Sequence, residues 1–224
     1  LRVIYLLFTE GYATTSGSQM LKRDICFEAL RLALLLRENE YCKHSNLEAL
    51  IALMCFHISR FDARMDDKGE LVSLDQHDRS LYDQDLIQFG LHHLQYARGS
   101  SNKPSNYLFE AADSYEHCIA QTFAETNCKS ILKLYDLHVL NQPSPMCKLN
   151  RIVAVHKIYG AGKALAELNE LAKGYDYEKI ALFYAIKAEL LQELEQPDYA
   201  DELKKAISLT ENNLIRKHLE KKIG

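Results

Sequence analysis

Apolar residues recur at intervals of three and four along almost the whole chain, and that period selects helix over strand. Within 21–38, Ile25, Ala29, Leu32 and Leu36 share one face. Asn46 is placed to cap a second helix running to about Met65, with Leu47, Leu50, Ile51, Met54 and Ile58 on one face. A short apolar helix is expected over residues 1–9, stopped by Gly11, followed by a Thr/Ser/Gly loop at 13–19. Further helices are expected up to about Arg98 and at about 105–123, 127–140 and 145–158, with a connection at 99–104. The fold class that follows is all-α, a helical bundle or α-solenoid.

The C-terminal part carries a degenerate repeat. Ala164, Leu165, Leu168 and Leu171 parallel Ala200, Leu203, Ala206 and Leu209, and the two leading alanines lie 36 residues apart. That is close to the roughly 34-residue period of tetratricopeptide helix pairs. Ala188, Leu190, Leu191 and Leu194, then Tyr199 and Ala200, fit such a unit best, with Glu195 where the turn favours Gly. A last helix after Asn213, bearing Leu214, His218 and Ile223, is expected to cap the stack. The expected division is a helical domain over 1–142 and a tetratricopeptide-like region over 143–224.

One stretch breaks the helical pattern. Residues 64–83 are polar and turn-rich: Asp66, Asp67, Lys68 and Gly69 signal a tight turn, Leu71 to Leu74 is a short run containing three apolar residues, and Asp78, Arg79 and Ser80 precede the next helix. A loop of this length inside a helical domain has a packing or contact role.

These residues carry a family resemblance. Asp66, Gly69, Leu71, Val72 and Leu74, then Asp78, Arg79, Ser80 and Asp83, resemble a D-x-x-G-x-L-V-x-L … Q-D-R-S-x-W-D pattern, with His77 in place of Gln and Tyr82 in place of Trp. The run Y-L-L-F-T-E-G-Y from Tyr5 to Tyr12 follows a second pattern, with Thr9 in place of Asn, and Asp24 to Leu32 a third. Pro143-Ser144-Pro145, with Leu149-Asn150-Arg151, follows a fourth. All four are similar to the C-terminal extension of one group of extracytoplasmic-function (ECF) RNA polymerase sigma factors of the sigma-70 family. The resemblance spans nearly the whole chain. It implies a regulatory, protein-interaction region acting in transcription initiation in the bacterial cytoplasm. The chain starts at Leu1 where the sigma modules would end, so the expectation is an isolated extension of a longer protein. Its implied partners are its own N-terminal sigma modules and/or RNA polymerase, and a further signalling protein. DNA contact is expected only through the modules this chain lacks. A net charge of −4 agrees with that expectation, because binding to the phosphate backbone runs on clustered cations.

The charged residues of the matched segments form the candidate site: Glu10, Arg23, Asp24, Glu28, Arg31, Arg64, Asp66, Asp78 and Arg79, with Arg60 beside them and Tyr82 in the last motif. They are read either as a salt-bridge network pinning the 64–83 loop to the first helices or as a partner surface. Arg79 is expected to be held by Asp66, Asp78, Glu10 or Glu28. No catalytic, cofactor or metal site is expected, since no nucleophile–base pair, phosphate loop or ligand spacing is visible. Adjacent His92 and His93 diverge on a helix and read as a surface or interface pair, and His57 as a buried, satisfied histidine. Cys26, Cys55, Cys118 and Cys147 lie in apolar patterns and read as buried thiols. No apolar run is long enough to span a bilayer. Two rival readings use the same residues: a small-molecule-sensing or hydrolytic helical domain built on the Asp66–Arg79 region, and a free-standing tetratricopeptide adaptor.

Overall fold

The computed structural model describes residues 1–12, 22–66, 70–99 and 103–222. The expected 13–19 loop, the Asp67-Lys68-Gly69 turn and Ile223 lie outside them. Among the described residues all extended regular elements are helical, as the periodicity requires. The chain divides into two units, Leu1–Asn127 and Cys128–Gly224, so the division falls one helix before the 142/143 position read from sequence.

In the first unit, α1 (Arg2–Tyr12), α2 (Arg23–Arg37), α5 (Gln84–Gly99) and α6 (Asn106–Ile119) assemble around α3 (Ser45–Ile58), with the single turn α4 (Phe61–Arg64) following it. Helix α3 has no solvent stripe. Leu47, Leu50, Leu53, Met54 and Phe56 are all buried, because α2, α5 and α6 each pack against a different side of it. Burying one such side chain contributes roughly 1.5–3 kcal/mol. His44, not Asn46, caps α3: its Nδ1 accepts the Leu47 N–H at 3.3 Å.

Gly11 does not stop α1, which runs on to Tyr12. It permits close approach to α2, since a Cβ there would lie 2.8 Å from Cys26 Sγ. Gly90 serves α5 in the same way, where a Cβ would meet the Phe56 ring at 2.8 Å. Across the same α3 surface, Glu48 is 1% exposed and accepts from Arg37 Nε at 2.7 Å while bonding His93 Nδ1. His93 is therefore interior and only His92 is exposed, which corrects the surface-pair reading for one of the two.

The second unit is a succession of neighbouring helices: α7 (Cys128–Asn141), α8 (Pro145–Tyr159), α9 (Ala161–Lys173), α10 (Ala181–Glu193), α11 (Tyr199–Leu209) and α12 (Asn213–Glu220). The Pro143-Ser144-Pro145 motif is a helix start: Ser144 Oγ accepts the Cys147 N–H at 3.1 Å and Pro145 occupies the first turn. Arg151, from the same motif, ties three helices together by bonding Asp136 on α7 and Glu167 on α9, both at 2.7 Å. Leu149, Ile152, Val155, Ala164, Leu168 and Leu190 form the core between α8, α9 and α10.

The repeat is visible as helix pairs. Pro145 and Ala181, which open α8 and α10, are 36 positions apart. The buried small residues Ala164, Ala188 and Ala206 allow close approach of α9, α10 and α11. Glu195 takes φ 55°, and the Gln196 N–H closes back on the Leu191 carbonyl at 2.9 Å, so the turn keeps a left-handed helix end with Glu in the glycine position. Asn212 caps α12 through the N–H groups of Leu214 and Ile215.

Candidate functional site

The site begins with a break in a helix. At the end of α3 the Phe56 carbonyl accepts from three side chains: Ser59 Oγ at 2.9 Å, Arg60 Nε at 3.1 Å and Cys118 Sγ at 3.5 Å. These replace regular ladder bonding, so the helix ends at Ile58 instead of continuing to Met65. The break turns Arg60 inward, where it is 6% exposed. Its Nη2 donates to His57 Nδ1 at 2.8 Å. A guanidinium can only donate, so His57 is neutral with its proton on Nε2. Burial, and then the charges of Arg60 and Arg64, hold the pKa of His57 well below the usual imidazole value.

On one side of Arg60 the Arg64 guanidinium lies 3.6 Å from the centroid of the Tyr12 ring. This cation–π contact uses the last residue of α1. From Arg64 the backbone is held by a short pairing. Val72 N–H donates to the Arg64 carbonyl at 3.0 Å, Asp66 N–H to the Glu70 carbonyl at 3.0 Å, and Glu70 N–H to Asp66 Oδ1 at 2.7 Å.

On the other side of Arg60 the loop is pinned by Arg79. Its Nη1 donates to the Ala120 carbonyl at 2.8 Å and to that of His117, both at the C-terminal end of α6. A cation there meets helix carbonyls that have no intrahelical donor, and the negative end of the helix dipole. Tyr82 is buried beside it, with its hydroxyl 3.0 Å from His77 Nδ1. Asp83 closes the segment: its N–H donates to the Ser59 carbonyl at 2.9 Å, and its Oδ1 accepts the Leu86 N–H at 3.0 Å to start α5.

The result is a cationic centre without a paired acid. Among the described residues no carboxylate lies within 4.0 Å of Arg60, Arg64 or Arg79. Asp113 is the one carboxylate whose field reaches Arg60. Both His77 and His117 are pushed down to about 4, first by burial and then by the arginines around them. Burial raises the pKa of the Cys118 thiol, which therefore stays protonated.

The sequence reading is corrected here. Arg79 is held by helix carbonyls and not by Asp66, Asp78, Glu10 or Glu28. Of the candidate residues, Arg64, Arg79 and Tyr82 converge around Arg60. The rest do not join them. Glu28 and Arg31 pair with each other on an exposed face of α2, with both hydrogen bonds at 2.8 Å. Arg23 reaches Asp62 at 2.6 Å, and Glu10 lies 3.7 Å from Lys22. Asp24 sits exposed in the first turn of α2. Asp66 closes its own turn, and Asp78 caps the next one by accepting from Ser80 N and Oγ. Sequence reasoning placed Arg60 beside the candidates but not buried at their centre, and it missed the roles of Tyr12 and His117. The spacing of Arg60 and Arg64 was the available signal, but nothing local shows that a helix break buries the first of them.

Residues 1–98 match the model of a family described as a family of unknown function, DUF6596. That segment includes α1 through nearly all of α5 and all three arginines, but not the α6 carbonyls that receive Arg79. The chain is also 34% identical over 195 residues to a protein of Rhizobium meliloti (strain 1021) titled "Uncharacterized protein R00370". The match takes in 86% of this chain and 44% of the relative, so the chain spans less than half the length of that curated relative. No solved structure matches.

Proposed function

We propose that this chain is the regulatory protein-interaction region of an ECF-type sigma factor, acting in transcription initiation in the bacterial cytoplasm. The observation that carries the reading is how the last motif is used. Arg79 and Tyr82 point inward and, with the Asp83 backbone N–H on the Ser59 carbonyl, staple the loop to α3 and α6. Gln76, Asp78, Ser80 and Leu81 face outward, and Leu81 is 47% exposed. A loop fixed this firmly presents a preorganised surface, which lowers the cost of ordering on contact. The similarity to a relative of which the match takes in only 44% is in keeping with a segment of a larger protein. No helix among the described residues is long and apolar enough to cross a membrane. The partner is the sigma modules of the same protein or RNA polymerase, reached at high effective concentration through a short linker. The second unit, with its paired helices, scaffolds the contact or receives a signalling protein.

The test is in vitro transcription by the whole factor, by a version lacking this extension, and by Leu81→Glu and Gln76→Lys variants. Each protein is checked by circular dichroism. Truncation and the folded surface variants should change transcript yield in the same direction. Unchanged yield from the truncated factor overturns the sigma reading and leaves a free-standing adaptor.

A further inference from the structure

The first and last helices of the second unit are finished differently. On α12 the exposed positions Asn213, Lys217 and Glu220 are all polar, as suits a helix that closes a stack. On α7 the exposed positions include Leu137, 50% exposed, and Leu140, 79% exposed. The inner side of α7 is already used, since Ile131, Leu132 and Tyr135 pack into the core shared with α8, α9 and α10. Lys129, Lys133, Leu137 and Leu140, all exposed, follow one another at spacings of four, four and three. They therefore form one row on the outer side of the helix, about 16 Å long. The two lysines are not balanced within the unit. Lys157, Lys163, Lys187 and Lys205 each lie within 4.0 Å of a carboxylate. Among the described residues no carboxylate lies that close to Lys129 or Lys133, and Asp136, one turn beyond Lys133, is taken by Arg151 at 2.7 Å.

We propose that the outer row of α7 docks an amphipathic helix of a partner protein, with apolar side chains over Leu137 and Leu140 and carboxylates over Lys129 and Lys133. Charge selects this occupant. A second copy presenting the same row would leave the lysines unanswered, and an acidic segment without apolar residues would leave the leucines in water. The spacing of three and four is the one by which the ridges of one helix enter the grooves of another, and about three turns of partner cover the row. The proposal deepens the reading of the second unit as the receiver of another protein and rests on it, but not on the sigma assignment.

The experiment is fluorescence anisotropy on the chain as it stands, at low and high salt. The probe is a labelled peptide, Ala-Leu-Ala-Gln-Leu-Ala-Ala-Gln-Glu-Ala-Ala-Gln-Glu-Ala, whose two leucines and two glutamates answer the α7 row in antiparallel order. It is set beside Gln-for-Glu and Lys-for-Glu counterparts. The Glu peptide should bind about fivefold more tightly than the Gln peptide, and the difference should shrink as salt rises. Leu137→Gln should weaken binding of the Glu peptide by about tenfold. The double variant Lys129→Glu, Lys133→Glu should reverse the preference, so that the Lys-for-Glu peptide binds best. All three positions are exposed, so the melting temperature should not fall in either variant. Equal binding of the Glu and Gln peptides, or unchanged binding by Leu137→Gln, overturns the site. A chain that sediments as a dimer and is dissociated by Leu137→Gln overturns the partner-helix reading in favour of a second copy. A chain carried down by phosphatidylserine vesicles but indifferent to the peptides overturns it in favour of a lipid surface. The assay contains no polymerase, so its failure leaves the transcription test standing, and the reverse also holds.

Discussion

Arg79 donates to the Ala120 carbonyl at 2.8 Å, joining the loop before α5 to the end of α6 across 41 positions of sequence. With the bond to His117, one guanidinium satisfies two helix-terminal carbonyls. Charge-assisted bonds of this kind each contribute about 1.5–3 kcal/mol. Arg79→Ala should therefore lower stability of the first unit by about 2–4 kcal/mol, and Arg79→Lys by less. Urea denaturation followed by circular dichroism measures this. An unchanged midpoint for Arg79→Ala would show that the loop is held without it.

Acid should loosen the same region. His57, His77 and His117 have folded-state pKa values below the ordinary imidazole value, and those of His77 and His117 are about 4. Between about pH 6.5, where an unfolded histidine titrates, and pH 4, the unfolded chain binds more protons than the native one. Stability from these neutral rings is fully present above that window and falls as pH drops through it. Melting temperature against pH should decline below about 6.5, and His117→Gln should flatten the decline. A profile level down to pH 4 would contradict the neutral-imidazole arrangement.

Glu48 is buried between Arg37 and His93. Removing it with Glu48→Ala leaves donors without their acceptor, at a cost of about 3–5 kcal/mol. Glu48→Gln keeps one acceptor and should cost less. Equal stability of the two variants would mean that the carboxylate charge contributes little to the centre of the unit.

Glu195 pays the left-handed penalty that glycine avoids. Glu195→Gly should stabilise the second unit by about 0.5–1 kcal/mol, the difference left after glycine's greater unfolded-state freedom. A drop in the thermal midpoint would show that the Glu195 side chain makes up for its backbone strain.

The helical class was legible because the apolar period of 3.6 survives in helices such as α1, α2 and α9, and Glu195 was legible as a glycine-like turn because the repeat marks its place. The centre of the first unit was less so. A helix buried on all sides, such as α3, shows an excess of apolar residues but no stripe, which hides both its true cap at His44 and its break before Arg60. Arg79 illustrates the deeper difficulty. Sequence identifies the charges that can pair, but main-chain carbonyls at the end of a helix 41 positions away carry no residue signature. His93 was misplaced for a related reason, since its partner Glu48 is 45 positions away.

Because α3 touches neighbours on every side, almost none of its side chains can be exchanged to alter what the unit meets outside. Variation among relatives of this chain should therefore be strongly partitioned. The α3 positions from Leu47 to Phe56 tolerate only changes that conserve volume, while novelty accumulates at the exposed Gln76, Ser80, Leu81, Gln88 and Gln121. A deep mutational scan scored for abundance would show α3 as a continuous intolerant band with no helical rhythm, whereas α1 and α9 would alternate between tolerant and intolerant faces.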